Sequence, residues 1–85
     1  MGKGDVREQT RQVMRNMESV LKAAGASFSD IIKFTTYVTD IRTWKEVTEV
    51  RQEFLGDHKA AGTLVEVSAL AYPGLMVEIE AIAVT

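Results

Sequence analysis

Residues 62–84 read GTLVEVSALAYPGLMVEIEAIAV, an apolar stretch that carries Glu66, Glu78 and Glu80 without a single lysine or arginine among them. Alternation writes two strands into it. Leu64, Glu66, Ser68 and Leu70 share one face of the first, and Met76, Glu78, Glu80, Ile82 and Val84 share one face of the second. Val65, Val67 and Ala69, with Val77, Ile79, Ala81 and Ala83, make a purely apolar side that is expected to lie under helices. Tyr72, Pro73 and Gly74 stand between the strands, where proline fixes its own φ and glycine accepts a positive one, so a hairpin is expected to turn there. Such a hairpin brings Glu66 and Glu80 close to opposite one another, and like charges across a ladder repel. Carboxylates set among Leu, Met, Ile and Val suit contact with a second sheet that brings cations or hydrogen-bond donors, and Lys33 is the nearest candidate by pattern. The alternative is that all three glutamates are wet and repel only weakly.

Upstream, Asp5 with Glu8 three residues on has the pattern of a capping box, and Val6, Val13, Met14, Met17, Val20, Leu21 and Ala24 recur at helical spacing up to the stop at Gly25. The methionines read as core filler. IIKFTTYVTD, residues 31–40, is β-branched and aromatic and reads as a strand. Its alternation places Ile32, Phe34, Thr36 and Val38 on one face and Ile31, Lys33, Thr35, Tyr37 and Thr39 on the other. Thr43 with Glu46 repeats the capping-box pattern for a second helix, whose stripe is Trp44, Val47, Val50, Phe54 and Leu55 and whose stop is Gly56. Trp44 is expected to anchor the start of that helix. The order is α-β-α-β-β, and helices with one apolar stripe need a sheet to cover, so a two-layer α+β domain over residues 1–85 is expected. Three strands are narrow for two helices, so one sheet edge is either bare or covered by another chain.

Eighty-five residues bury only roughly 60–65% of their unfolded surface, which makes help from oligomerisation plausible. The absence of cysteine removes disulfides and thiolate metal sites from consideration. The opening MGKGDVREQTRQ is too polar for a signal peptide and no apolar run suffices for a membrane span, so a soluble, cytoplasmic protein without membrane partners is expected. A net charge of −2, with both signs mixed along the chain, disfavours nucleic acid. No metal-ligand spacing, phosphate-cradling glycine loop or nucleophile triad is present, and no cofactor is expected. His58, the lone histidine, reads as a helix-dipole contact more readily than as a general base. Arg7, Arg11 and Arg15 form either a basic ridge or, with Glu8 and Glu18 nearby, a solvated and salt-bridged face.

NMESVLKAAGASFSDIIKFTTYVTDIRTWKEV (16–47) followed by residues 62–84 resembles the Rid family, also called the YjgF/YER057c/UK114 family, over nearly the whole chain. The resemblance implies a chorismate-mutase-like α+β fold with the sheet packed on two helices. It also implies a homotrimer with inward-facing sheets, and clefts between protomers where small carboxylate-bearing enamines or imines are hydrolysed to keto acids and ammonia. Glu78, first acid of VEIE, corresponds to the glutamate that positions water or stabilises the departing nitrogen.

Departures accompany the likeness. Family members usually begin with additional strands, so the chain is N-terminally short by comparison. The substrate-binding arginine that precedes the V-E-V strand is replaced by Gly62, within Ala61-Gly62-Thr63, and Lys59 nearby lacks the planar fork. Thr48 stands where an asparagine is common. Lys59, Gly62 and Thr63 are therefore the residues at the implied substrate-binding position, and Glu78 is the implied catalytic residue. The competing expectation is a noncatalytic ligand-binding or interaction module. RNA cleavage, also attached to parts of the family, gains little from the charge balance.

Overall fold

The segment Ile31–Val38 (β1) is the middle of a three-stranded sheet, with Ala61–Glu66 (β2) on one side and Val77–Ala83 (β3) on the other. The architecture is that of a computed structural model which describes residues 5–84; residues 1–4, part of the polar opening segment, and residue 85 lie outside them. Two helices, Val6–Ala23 (α1) and Trp44–Leu55 (α2), pack on one face, which gives the expected order α-β-α-β-β and a two-layer α+β fold.

β1 runs parallel to β2, with Thr36 beside Leu64 and Val38 beside Glu66, and antiparallel to β3. The two C-terminal strands therefore do not pair as the hairpin expected from residues 62–84. Parallel neighbours need a crossover of about a dozen residues or more, and α2 supplies it between β1 and β2. Residues 67–76 then cross the end of β1: the Val67 amide donates to the Val38 carbonyl at 2.8 Å, and the Thr39 amide donates to the Met76 carbonyl at 3.1 Å. The turn at Tyr72–Leu75 lies where expected, with Leu75 N–H donating to Tyr72 O at 3.2 Å and Gly74 at φ 86°. It folds this crossing loop and joins no ladder. With β1 interposed, Glu66 and Glu80 sit on opposite faces two strands apart, so the expected repulsion across a ladder does not arise. Glu66 Oε1 instead accepts from the Ile41 amide at 2.8 Å, ahead of α2.

Two faces also differ from simple alternation. A register shift between Ile31 and Lys33 lets both Ile31 (1% exposed) and Phe34 point under the helices, while Ile32 is 54% exposed. A bulge places two residues opposite one and so breaks the period of two. In β2, the pairing Thr36 to Leu64 puts Leu64 on the helix-covered face and Val65 on the open one, the reverse of the expected apolar side. In β3 the expectation holds, because Val77 and Ile79 are buried and Glu78 and Glu80 are exposed.

Asp5 caps α1, its Oδ1 accepting from Arg7 N–H at 3.0 Å and Glu8 N–H at 3.2 Å. Gly25, at φ 75°, closes the helix in a Schellman arrangement: Ala26 N–H donates to Leu21 O at 2.8 Å and Gly25 N–H to Lys22 O at 3.0 Å. The Thr43 capping box is not what starts α2. Thr43 Oγ1 donates to the Asp40 carbonyl, and Asp40 Oδ1 caps the preceding short turn Ile41–Thr43 by accepting from Arg42 N–H. Trp44 does not anchor the helix in the core; it is 53% exposed. Met14 is fully buried with Val6 and Leu21, whereas Val20 is 68% exposed because the end of the stripe overhangs the free edge of β3. There Val13, Asn16, Met17, Val20 and Ile79 line a groove of about 310 Å³. Among the described residues nothing covers this edge.

Arg7 bridges to Glu49 at 2.6 Å and Arg11 to Glu53 at 3.5 Å, linking α1 to α2, and Arg11 and Arg15 lie 3.9 Å and 3.7 Å from Glu8. The arginine row is thus a salt-bridged face and not a free basic ridge.

Buried Gln9 joins α1 to the crossing loop: Nε2 donates to the Gly74 carbonyl at 2.9 Å and Oε1 accepts from the Met76 amide at 2.8 Å. Gln9→Leu keeps the volume and strips two backbone groups of their partners; Gly74 is exposed, so water can replace its bond, and the loss falls on the more enclosed Met76 amide, where one unsatisfied group costs about 1–3 kcal/mol. Urea unfolding is expected to show a loss in that range, with exposed Ser19→Ala within about 0.5 kcal/mol of the parent. Equal midpoints for the two variants would show that Gln9 does not hold the loop. On the open face, the Tyr37 hydroxyl donates to Glu80 Oε1 at 3.0 Å; this hydrogen bond first, then lost hydration and the charge of Glu80, raises the phenol pKa. Because the folded value is raised, the contribution is whole below the ordinary tyrosine value of about 10 and disappears as pH rises through the folded one. In a Tyr72→Phe background, absorbance titration is expected to find Tyr37 above about 10, and Glu80→Gln to bring its midpoint down.

Candidate functional site

The face of the sheet away from the helices carries most of the chemistry the sequence offers. Along β1 and β3, Tyr37 stands beside Glu78, Thr35 beside Glu80 and Lys33 beside Ile82; β2 adds Thr63 next to Thr35 and Val65 next to Tyr37. Alternation puts every one of these side chains on the same surface. Tyr37 fixes Glu80, whereas Glu78, exposed, makes no hydrogen bond or ion pair with any described residue. Lys33 is likewise exposed and without an ion pair among them. Lys33, Thr35, Glu80, Ala81 and Ile82 line a shallow hollow of about 210 Å³. The arrangement can accept protons and hydrogen bonds at Glu78, donate from Lys33, and meet apolar surface with Val65 and Ile82.

The residues singled out from the sequence do not converge within one chain. Thr63 and Glu78 share the open face, but β1 lies between their strands, which places the two backbones about 10 Å apart at the usual strand spacing. Gly62 pairs with Phe34 and so lies on the opposite, helix-covered face from Glu78. Lys59 is exposed in the link before β2. A ligand touching Gly62 or Lys59 together with Glu78 would need them from two different copies of the chain. His58 is occupied structurally, its Nε2 donating to the Ile31 carbonyl at 2.7 Å, which ties the end of α2 to the start of β1. This side-chain bond is the role the fold shows for it.

Arg51 is a residue the sequence reading passed over. Its Nη1 donates to Thr36 Oγ1 at 2.8 Å, and its guanidinium carbon lies 5.6 Å from the centre of the Phe34 ring. Burial lowers its pKa from the ordinary arginine value. The signal was present in the helical pattern, because Arg51 falls between Val47, Val50 and Phe54 on the inward stripe of α2, where a cation is out of place. Among the described residues no cluster of three His, Asp or Glu side chains is arranged to hold a metal, and no helix is long and apolar enough to cross a membrane.

The chain matches the family described as Endoribonuclease L-PSP over residues 1–85. It is 46% identical over 81 residues to a RutC family protein of Pyrococcus horikoshii, a match covering 95% of the chain and 64% of that relative. It is 35% identical over 81 residues to the human 2-iminobutanoate/2-iminopropanoate deaminase, covering 95% of the chain and 58% of the enzyme. The chain thus spans a little under two thirds of the length of these curated relatives. A crystal structure of a YjgF/YER057c/UK114 family member from Mycobacterium tuberculosis superposes with a TM-score of 0.95 at 44% identity, covering 100% of the chain and 71% of that protein. Escherichia coli TdcF with bound serine superposes at 0.88 with 35% identity, covering 96% of the chain and 66% of TdcF. A match along the whole chain, with the strand order and both helices reproduced in solved relatives, means that this chain belongs to the YjgF/YER057c/UK114, or Rid, family.

Proposed function

We propose that the chain acts on small carboxylate-bearing enamines or imines and hydrolyses them to a keto acid and ammonia, at clefts between the protomers of a homotrimer. The observation that carries this reading is Glu78: exposed, unpartnered, and set on a sheet face that alternates carboxylates with Val65 and Ile82. Relatives bearing the names 2-iminobutanoate/2-iminopropanoate deaminase and reactive intermediate deaminase support it. In the reaction, water adds to the carbon of the protonated imine while Glu78 accepts one water proton, giving a neutral carbinolamine. Glu78 returns that proton to nitrogen, the C–N bond breaks with its electron pair leaving on ammonia, and the hydroxyl proton passes to Glu78 as C=O forms; release of that proton to solvent or to ammonia restores the carboxylate. Thr63 and the Gly62 backbone line the substrate side of the cleft, and Lys59 attracts the carboxylate. The separation of Gly62 and Glu78 onto opposite faces favours a site completed by a second copy. A second reading, a trimeric binding module without turnover, is favoured by one feature: Gly62 offers no side chain to clamp a substrate.

With freshly generated 2-aminoacrylate or 2-iminobutanoate, the protein is expected to speed keto acid formation above the buffer rate. Glu78→Gln should lower that acceleration by roughly a hundredfold or more, the usual weight of a positioned acid–base group. No acceleration by the parent protein would leave the binding module as the better account. Sedimentation showing only monomer would remove the inter-protomer cleft.

A further inference from the structure

Arginine usage in this chain is uneven. Arg7, Arg11, Arg15 and Arg42 each bridge to a carboxylate, whereas Arg51, the fifth, has none among the described residues. Arg51 is also the one drawn inward. One of its five N–H groups is used by Thr36, the ring of Phe34 lies under it, and no buried side-chain nitrogen is left without a partner, so the remaining donors face outward. A cation that has lost part of its hydration and gained no counter-charge attracts an anion more strongly than one in open water.

Space for that anion lies alongside. Phe34 and Thr36 pair with Gly62 and Leu64 of β2, so the guanidinium lies over β1 next to position 62 on the same face of the sheet. A Cβ built on Gly62 would meet only the Phe34 carbonyl oxygen, at 4.0 Å, so no side chain occupies the space immediately next to this residue. β2 is an edge strand. Its Val67 amide points to β1, and the two-residue repeat directs the Thr63 and Val65 amides the same way, so the Gly62 and Leu64 amides point out to the free edge. Guanidinium donors above and edge amides beside this space make a cradle for a small planar carboxylate.

We propose that Arg51, reaching from α2 over Phe34 to the gap at Gly62, is the residue that binds the carboxylate of a small 2-oxo or 2-imino acid. The proposal deepens the deaminase reading by naming the residue that selects its substrate class, and it rests on that reading for the identity of the acid. Lys59, exposed and unrestrained, steers; Arg51 holds.

The test is binding of 2-ketobutyrate, a stable keto acid, followed by amide chemical shifts, with 2-ketobutyramide as the uncharged control. The parent protein is expected to bind the acid and not the amide. Arg51→Met should weaken binding by about tenfold to a hundredfold, and Arg51→Lys should recover only part of it. Gly62→Val, which fills the gap from a position outside the left-handed region, should weaken binding without lowering the unfolding midpoint, and it keeps the question open to decision if Arg51→Met folds poorly. Ser19→Ala, on the exposed side of α1, should keep the parent affinity within about twofold. Carboxylate binding that needs Arg51, in a protein with no imine hydrolysis, would sink the deaminase reading and leave this one standing. No binding by the parent, unchanged affinity in both Arg51→Met and Gly62→Val, or loss only in Lys59→Ala would overturn it.

Discussion

Pairing on both edges of β1 is the constraint on which the rest depends. Ile31, Phe34, Thr36 and Val38 are all buried under the helices, and each neighbouring strand takes its register from this one. A strand flanked on both sides leaves no unpaired ladder groups of its own, so it can lie beneath two helices without stranded polar backbone. The parallel partner arrives through α2 and the antiparallel partner through residues 67–76, and the route each takes decides which of its faces meets the core. Glu78 and Glu80 reach the open face for no other reason than that Val77 and Ile79 must face Phe34, Thr36 and Val38 from their side of β1.

The element order, both helix stops, the Asp5 cap and the β3 faces were legible because each depends on residues a few positions apart. Strand partnership was not. A Pro-Gly turn between two alternating segments is the sequence mark of a hairpin, and the chain does turn there, yet the outcome depends on which strand competes for the ladder. β1 competes for both. The same nonlocality hid the bulge at Ile31–Lys33, since alternation along one strand contains nothing about a register slip against its partner. Val20 and Trp44 are the converse case, apolar residues at stripe positions that remain more than half exposed.

Of the site, the surface placement of Glu78 could be read from alternation alone, because β3 keeps its period of two. Its supposed neighbours could not, and Gly62 and Glu78 prove to occupy opposite faces. A glycine in a strand says only that a side chain is missing; what fills the gap depends on a helix that precedes it in sequence and covers it in space. Arg51 supplies that content through contacts with Thr36 and Phe34, residues more than a dozen positions away.

The two faces carry opposite charge problems. On the open side, Glu78 and Glu80 lie among apolar neighbours with Tyr37 donating to one of them, and Lys33 is the lone cation on β1 and β3 at that surface. On the helix side, Arg51 is a cation without an acid. Within one chain the sheet separates them, so neither can neutralise the other. Bringing the open face of one copy against the β2 edge of another would set carboxylate and guanidinium about one cleft, with each supplying the polarity the other lacks. A small acid bearing a C=N group fits such an asymmetric cleft in one orientation only, carboxylate toward Arg51 and imine carbon toward Glu78, because the reversed pose sets like charges together at one end.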